Sequence, residues 1–417
     1  MTSRTSYIGI FAALATTAIL SIAAINIAVD PWAYFKTPDI AGFNLVKPEL
    51  PYYERELEAQ GLKTLQPKGI VMGASNSDVG LDPEHTSWEV QPGYNVAAGL
   101  GSITLANRLL EHALVFGTPE KIVLGLEFGM FHPAYQNDAG INPTSLARNI
   151  DGERNRDYLG FNFYANAFSL QMLKSSAKTL LANIGKKDAA KTYRPALTAS
   201  GMLDPENFGN PSWKTYRLHF QNNIAYATRT FWAPAEQLAS IDIPAEEPTF
   251  ESYRRILALA CENEIELYLL FAPSHAYVLV GQETLGLTDF WERWQHAIVT
   301  TTAEFARETG CPQPPVWDFS GYNEVTTEII SNERGKEHFS TWYWDPLHYR
   351  VEVGNDMLNR MFGKPAINPV FDDIGTVLTP ANIDEVIRQK RQGLINYRKN
   401  HPDEYALVME TVETALE

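Results

Sequence analysis

Apolar and polar positions divide the chain into three kinds of segment. Tyr7 to Val29 is a run of roughly 23 residues without a charge, enough to cross a bilayer. Its length favours an uncleaved anchor over a signal peptide, whose apolar core runs ~7–15 residues. Arg4 before it and Asp30 after it predict that the N-terminus stays in the cytoplasm and the remainder is exported. Prolines at 38, 48, 51 and 67 mark a stalk over residues 31–67, with a first helix near Tyr52–Gln60. Short apolar runs then read as buried strands at Gly69–Gly73, Tyr94–Ala97, Lys121–Phe128, Glu264–Ala272 and Val316–Phe319. Between them, Ser102–Phe116, Phe250–Glu262 and Thr288–Glu308 repeat apolar residues at helical spacing, with Gly117 placed as a C-cap. A final helix is expected over Val353–Met361.

Strands alternating with helices predict an α/β fold: a three-layer, doubly wound, mainly parallel sheet spanning residues 68–365. Sites in such sheets lie at the carboxyl ends of strands. The alternation fails between about 130 and 248, a stretch rich in Asn, Tyr and Phe that reads as a large insertion overhanging those ends. Residues 366–417 form a helical tail, strongly helix-favouring from Ile383 to Leu416 with a break at His401-Pro402.

Composition narrows the function. The chain carries 34 basic and 50 acidic side chains, a formal net charge of -16. That surface repels a phosphate backbone and argues against nucleic acid as a partner. It also argues against polybasic attachment to lipid, leaving the one N-terminal helix as the membrane contact. Cys261 and Cys311 make neither a disulfide framework nor a zinc site. They can form one bridge in an oxidising compartment, although two independent thiols is the plainer reading.

Two motifs carry chemistry. Ser75 stands in Gly73-Ala74-Ser75-Asn76-Ser77, just past the first strand. A sharp turn there would expose its hydroxyl and aim backbone N–H groups at a developing oxyanion. Ser77 competes, but Ser75 is nearer the strand end. The second motif is Trp344-Asp345-Pro346-Leu347-His348, followed by Tyr349, Arg350 and Gly354. An Asp three residues before a His can turn back to orient its imidazole as a general base. Either motif alone also reads as an ordinary turn. Together, after the first and last parallel strands, they can meet on one edge of the active face.

These residues resemble the SGNH (GDSL-like) hydrolases, whose nucleophile lies near the start of the domain and whose Asp-x-x-His lies near its end. The likeness is closer to the membrane-anchored, extracytoplasmic subgroup that accompanies membrane-bound O-acyltransferases, including alginate O-acetylation and lipoteichoic acid D-alanylation proteins. Gly73-Ala74-Ser75 leading to Gly80-Leu81-Asp82-Pro83, Tyr94 to Gly99, Phe271 to His275 and Asp345 to His348 carry it, over roughly Lys68 to Gly363 without the insertion. The resemblance implies Ser75 as nucleophile, His348 as base, Asp345 as its orienting partner, and the N–H of Ser75 with Gly99 as oxyanion hole. It implies acyl transfer or ester hydrolysis on an extracytoplasmic glycan, without cofactor or metal, with a membrane-bound O-acyltransferase as a further partner. The sequence departs from the pattern at Gly125-Leu126-Glu127-Phe128-Gly129, where such hydrolases place an oxyanion asparagine. An ionised glutamate cannot donate. Either another donor replaces it or the site is tuned away from simple hydrolysis. Glu127 at the end of the third strand and His275 after the fourth are expected as substrate-binding groups, His275 toward an acceptor hydroxyl. An exposed carboxylate and an idle loop histidine are the plainer readings. A non-catalytic anchored adaptor, binding glycan or the acyltransferase, is the competing class.

Overall fold

The computed structural model describes residues 2–99, 101–132, 141–149, 151–156, 158, 162–185, 197–204, 214–232 and 248–417. Much of the expected insertion, including residues 133–140, 186–196, 205–213 and 233–247, lies outside the described residues. The elements begin with α1 (Thr2–Val29) and α2 (Glu54–Leu65), then β1 (Gly69–Met72), α3 (Ser75–Gly80), β2 (Gly93–Asn95), α4 (Ile103–Phe116) and β3 (Lys121–Leu126). After α5 (Asn162–Ala167), α6 (Leu170–Asn183) and α7 (Tyr216–Ala227) come α8 (Pro248–Glu262), β4 (Glu266–Phe271), α9 (Ala276–Thr284), α10 (Thr288–Thr309) and β5 (Val316–Asp318). Then follow α11 (Val351–Met361), β6 (Thr376–Leu378), α12 (Ile383–Asn400) and α13 (Pro402–Leu416).

Two compact units result, Met1–Thr64 with Gly140–Ala196, and Leu65–Ala139 with Leu197–Glu417. Part of the expected insertion thus groups with the N-terminal segment, and the part from Leu197 groups with the sheet. In the first unit α1 is long and apolar enough to cross a membrane. At its end Trp32 stacks on Tyr53 with ring centroids 3.9 Å apart, and Asp30 accepts the N–H groups of Phe35 and Thr37, each at 3.0 Å.

The second unit is a mixed α/β fold. Among the described residues its sheet has six strands in the order β2-β1-β3-β4-β5-β6. The first five are parallel, and β6 pairs antiparallel with β5. Every residue of β1 and β3 is buried, which is why these strands, apart from Lys121 at the start of β3, read as continuous apolar runs rather than alternating ones. From β1 the chain steps one way to β2, then crosses back to β3 and continues outward. Right-handed crossovers therefore put α3 on one face and α4, α8 and α10 on the other. The reversal leaves a crevice at the carboxyl ends of β1 and β3, where open α/β sheets bind ligands. Ser102 caps α4 by accepting the Leu105 N–H at 3.0 Å. Gly117 does end that helix, but in extended rather than left-handed backbone.

The small edge strand β6 was not legible. It has three residues, two of them exposed, too few for any periodicity to register. Cys261 and Cys311 form a disulfide with Cα atoms 5.9 Å apart, joining the end of α8 to the end of α10. The bridge closes 50 residues, for which chain entropy gives about 4 kcal/mol of stabilisation. Cys261→Ser with Cys311→Ser is expected to lower the melting temperature, and reductant should reproduce the loss in the native chain only. Equal melting of the two chains would show that the bridge contributes nothing.

The tail is part of the core rather than an appendage. Tyr397, Tyr405, Val408 and Val412 are buried in the main apolar cluster. Lys390 of α12 reaches the buried Asp318 at the end of β5. Glu404 of α13 pairs with Arg217 of α7 at 2.6 Å and also takes the hydroxyl of Tyr277.

Candidate active site

From Gly69 to Leu81 every residue is buried except Ser75, which keeps part of its surface. The cause is local. Gly73 leaves β1 with φ +148°, a backbone that side chains rarely adopt, and Ala74 then begins α3 in extended conformation. Ser75 thus sits at the first helical position, at the lip of the crevice. Ser77, the competing serine, turns inward and is 1% exposed. Its hydroxyl is lodged where a Cβ on Gly73 or Gly125 would stand. A serine enclosed in this way has no path to substrate.

Asp345 and His348 occupy a tight loop between the paired residues Tyr343 and Tyr349. The Trp344 N–H donates to the His348 carbonyl at 2.8 Å. Within the turn, Asp345 Oδ1 accepts the N–H groups of Leu347 and His348 at 2.8 and 3.1 Å. Its two oxygens lie 3.0 and 2.9 Å from His348 Nδ1. With Nδ1–H donating there, Nε2 is the acceptor, and the Ser75 hydroxyl stands 2.9 Å from it. Burial opposes the charge on Asp345, but the imidazole and the Leu347 N–H hold its carboxyl below the ordinary range. Burial likewise opposes protonation of His348, and Asp345, Glu127 and Asp78 outweigh it, raising the imidazole above 6.5.

Residues 273 apart in sequence meet because two glycines let two helices touch. A Cβ on Gly80 would overlap the Tyr349 ring, and one on Gly354 would overlap the carbonyl of Gly80. So α3, which begins at Ser75, lies against α11, which follows His348. Asn95 fixes α3 from the other side. Its Nδ2 donates to the carbonyls of Ser77 and Leu81 at 2.9 and 3.0 Å, while its Oδ1 accepts the Ala97 N–H at 2.9 Å. Tyr216 of α7 braces the Asp345 loop, donating to the carbonyls of Tyr343 and Trp344. The sequence assigns no role to Asn95, Tyr216, Gly80 or Gly354, since each acts on a partner that only folding brings near.

The other expected residues fall in different places. Gly99 is exposed on the loop after β2. That loop runs beside the Ser75 turn, with the Ala98 N–H donating to the Gly73 carbonyl at 3.3 Å. Glu127 ends β3 at the crevice, where its Oε1 accepts the Asn76 N–H at 3.3 Å. Burial raises its carboxyl above the ordinary range, with His348 and Asn76 pulling it back.

His275 is a correction. It is fully buried rather than facing an acceptor. Nε2 meets the Glu328 carbonyl at 2.9 Å, Nδ1 accepts the Tyr277 N–H at 3.2 Å, and the rings of Phe220, Tyr277 and Tyr343 surround it. Burial pulls its imidazole down to about 4, so it stays neutral. Its own N–H donates to the Pro346 carbonyl at 3.1 Å, which makes it a support for the Asp345–His348 loop.

No model of a protein family matches the chain, and no curated protein matches it either. The reading of the site therefore rests on its geometry. A serine hydroxyl bonded to an imidazole that is itself bonded to a buried carboxylate can deliver an alkoxide-like nucleophile to an acyl carbonyl.

Proposed function

We propose that this protein is a serine esterase or O-acyltransferase of the SGNH type, anchored by α1 and acting on an extracytoplasmic glycan. The observation that carries the reading is the 2.9 Å approach of Ser75 Oγ to His348 Nε2, with Asp345 behind the imidazole. Ser75 Oγ attacks an acyl carbonyl as its proton passes to His348. That proton leaves with the departing alcohol, and acyl-Ser75 remains. A sugar hydroxyl or water then attacks the acyl-serine, giving its proton to His348, which returns it to Ser75. The N–H of Ser75, with Gly99 on the adjoining loop, would meet the oxyanion. The apolar α1 and the Cys261–Cys311 disulfide support an anchored, oxidised location.

The direct test is covalent capture. A fluorophosphonate probe offered to the full-length protein in detergent should label Ser75, with labelling absent in Ser75→Ala and strongly slowed in His348→Ala. Labelling of some other residue, unchanged in Ser75→Ala, would sink the mechanism. No labelling at all would leave an anchored adaptor for glycan or for a membrane-bound O-acyltransferase.

Glu127 gives a second test. The base must be neutral to act, so activity should rise with pH through the titration of His348. That limb should lie above the ordinary 6.5, because nearby carboxylates favour the imidazolium. Glu127→Gln removes one of those carboxylates. The acid limb of kcat/KM is then expected to move to lower pH, while the site keeps a polar group of the same shape. An unmoved limb in that variant would show that Glu127 does not act on His348.

A further inference from the structure

Helix α6 in the first unit is inside out for a protein surrounded by water. Besides Met172, its inward side carries Ser175, Ser176, Thr179 and Asn183, each fully buried. Its outward side carries Leu170 and Leu181, followed by the C-cap Ile184, and these are 70%, 68% and 71% exposed. At 100° per residue, Leu170, Ala177, Leu181 and Ile184 fall within an arc of about 60°, with Lys174 along one flank. A helix on a soluble surface points its apolar stripe into the core. The reverse, small and polar residues between helices and apolar residues outside, is how helices associate in lipid.

Hydrogen bonds place this helix beside the anchor. Asn26 of α1 donates to the carbonyls of Ala167 and Ser169, both at 2.9 Å, and accepts from Ser176 Oγ at 3.2 Å. Asn26 lies three residues before the end of the apolar run at Val29, so about 5 Å inside it. That is the level of the boundary between hydrocarbon and headgroups when the run spans a core of ~30 Å. Aromatic rings gather beside the end of the apolar run. Phe163 and Tyr164 of α5 are 52% and 60% exposed, Phe163 meets Tyr164, and it also meets Phe35 just past the anchor. Tyrosine is enriched at membrane interfaces because its ring is apolar at one end and polar at the other. α6 itself has no acidic residue, and Lys178 is paired with Glu49 on its flank.

We propose that α5 and α6 form an interfacial membrane element. The outward face of α6 and the rings of Phe163 and Tyr164 are immersed in the bilayer beside α1, so that the first unit is held against the membrane by a surface as well as by a single span. The inference rests on α1 crossing the bilayer and is independent of the serine chemistry.

Full-length protein carrying Leu181→Cys or Ala177→Cys, each labelled with bimane, is reconstituted into phosphatidylcholine vesicles containing phosphatidylglycerol and doxyl-labelled lipid. The native cysteines are joined in the disulfide and take no label. Leu20→Cys within α1 and Ile329→Cys on the second unit serve as references. The expected result is loss of most emission at 177 and 181, as at 20, with none at 329. Quenching at 20 alone would overturn the proposal, and would mean that α6 faces water or the helices of another membrane protein. Absence of quenching at 20 as well would overturn the anchor along with it.

Discussion

Ser75→Ala is expected to lower acyl-ester turnover by about 10³-fold or more, equivalent to about 4 kcal/mol of lost transition-state stabilisation. The figure follows from geometry: the hydroxyl that bonds His348 Nε2 at 2.9 Å is the part-exposed serine of an otherwise buried turn. His348→Ala should cost a similar factor, and the double variant no more than either single, because nucleophile and base act as one unit. Steady-state hydrolysis of a chromogenic acetyl ester by the full-length chain in detergent reads all three. Ser77→Ala provides the contrast. Ser77 is enclosed between Gly73 and Gly125, so its loss leaves the chemistry in place and removes only packing. Turnover that survives Ser75→Ala but falls in Ser77→Ala would reverse the assignment.

The second large effect concerns folding. Truncation after Asn400, which removes α13, is expected to abolish the cooperative thermal transition of the second unit. Val408 and Val412 are almost wholly buried, each contributing about 1.5–3 kcal/mol. Glu404 neutralises Arg217 and binds Tyr277, and Tyr405 donates to Glu283 at 2.7 Å. Together these losses approach the ~5–15 kcal/mol net stability of an ordinary domain. Val412→Asp should fail in the same way, since it puts an unpaired charge in the core at a cost above ~4 kcal/mol. Circular dichroism melting checks both variants. A truncated chain that still melts cooperatively and still labels at Ser75 would show the tail to be dispensable. Since α13 is core, loss of function on its removal does not by itself indicate a partner site.

What was legible follows how far each feature reaches along the chain. The strands over Gly69–Met72 and Lys121–Leu126 announce themselves because both faces are buried, so every residue but Lys121 at the start of the second is apolar. The helix over Pro402–Leu416 does so because proline opens it and its composition favours it. Asp345 and His348 are three residues apart, close enough for a turn to join them whatever surrounds it. The apolar N-terminal helix is a property of composition alone.

The rest required distant parts to meet. His275 follows a strand and reads as a loop residue, yet the α7 helix and the Tyr343 loop close over it. Cys261 and Cys311 say nothing of their pairing until α8 and α10 lie on one face of the sheet. The polar inward side of α6 has meaning only against Asn26. Local composition and spacing set the α/β alternation, the apolar N-terminal helix and the short reach from Asp345 to His348. That Ser75 faces His348 while Ser77 does not is settled by packing between distant parts of the chain. That choice depends on Gly80 and Gly354 allowing α3 and α11 to touch, and contact between helices separated by more than 270 residues is written in no local pattern.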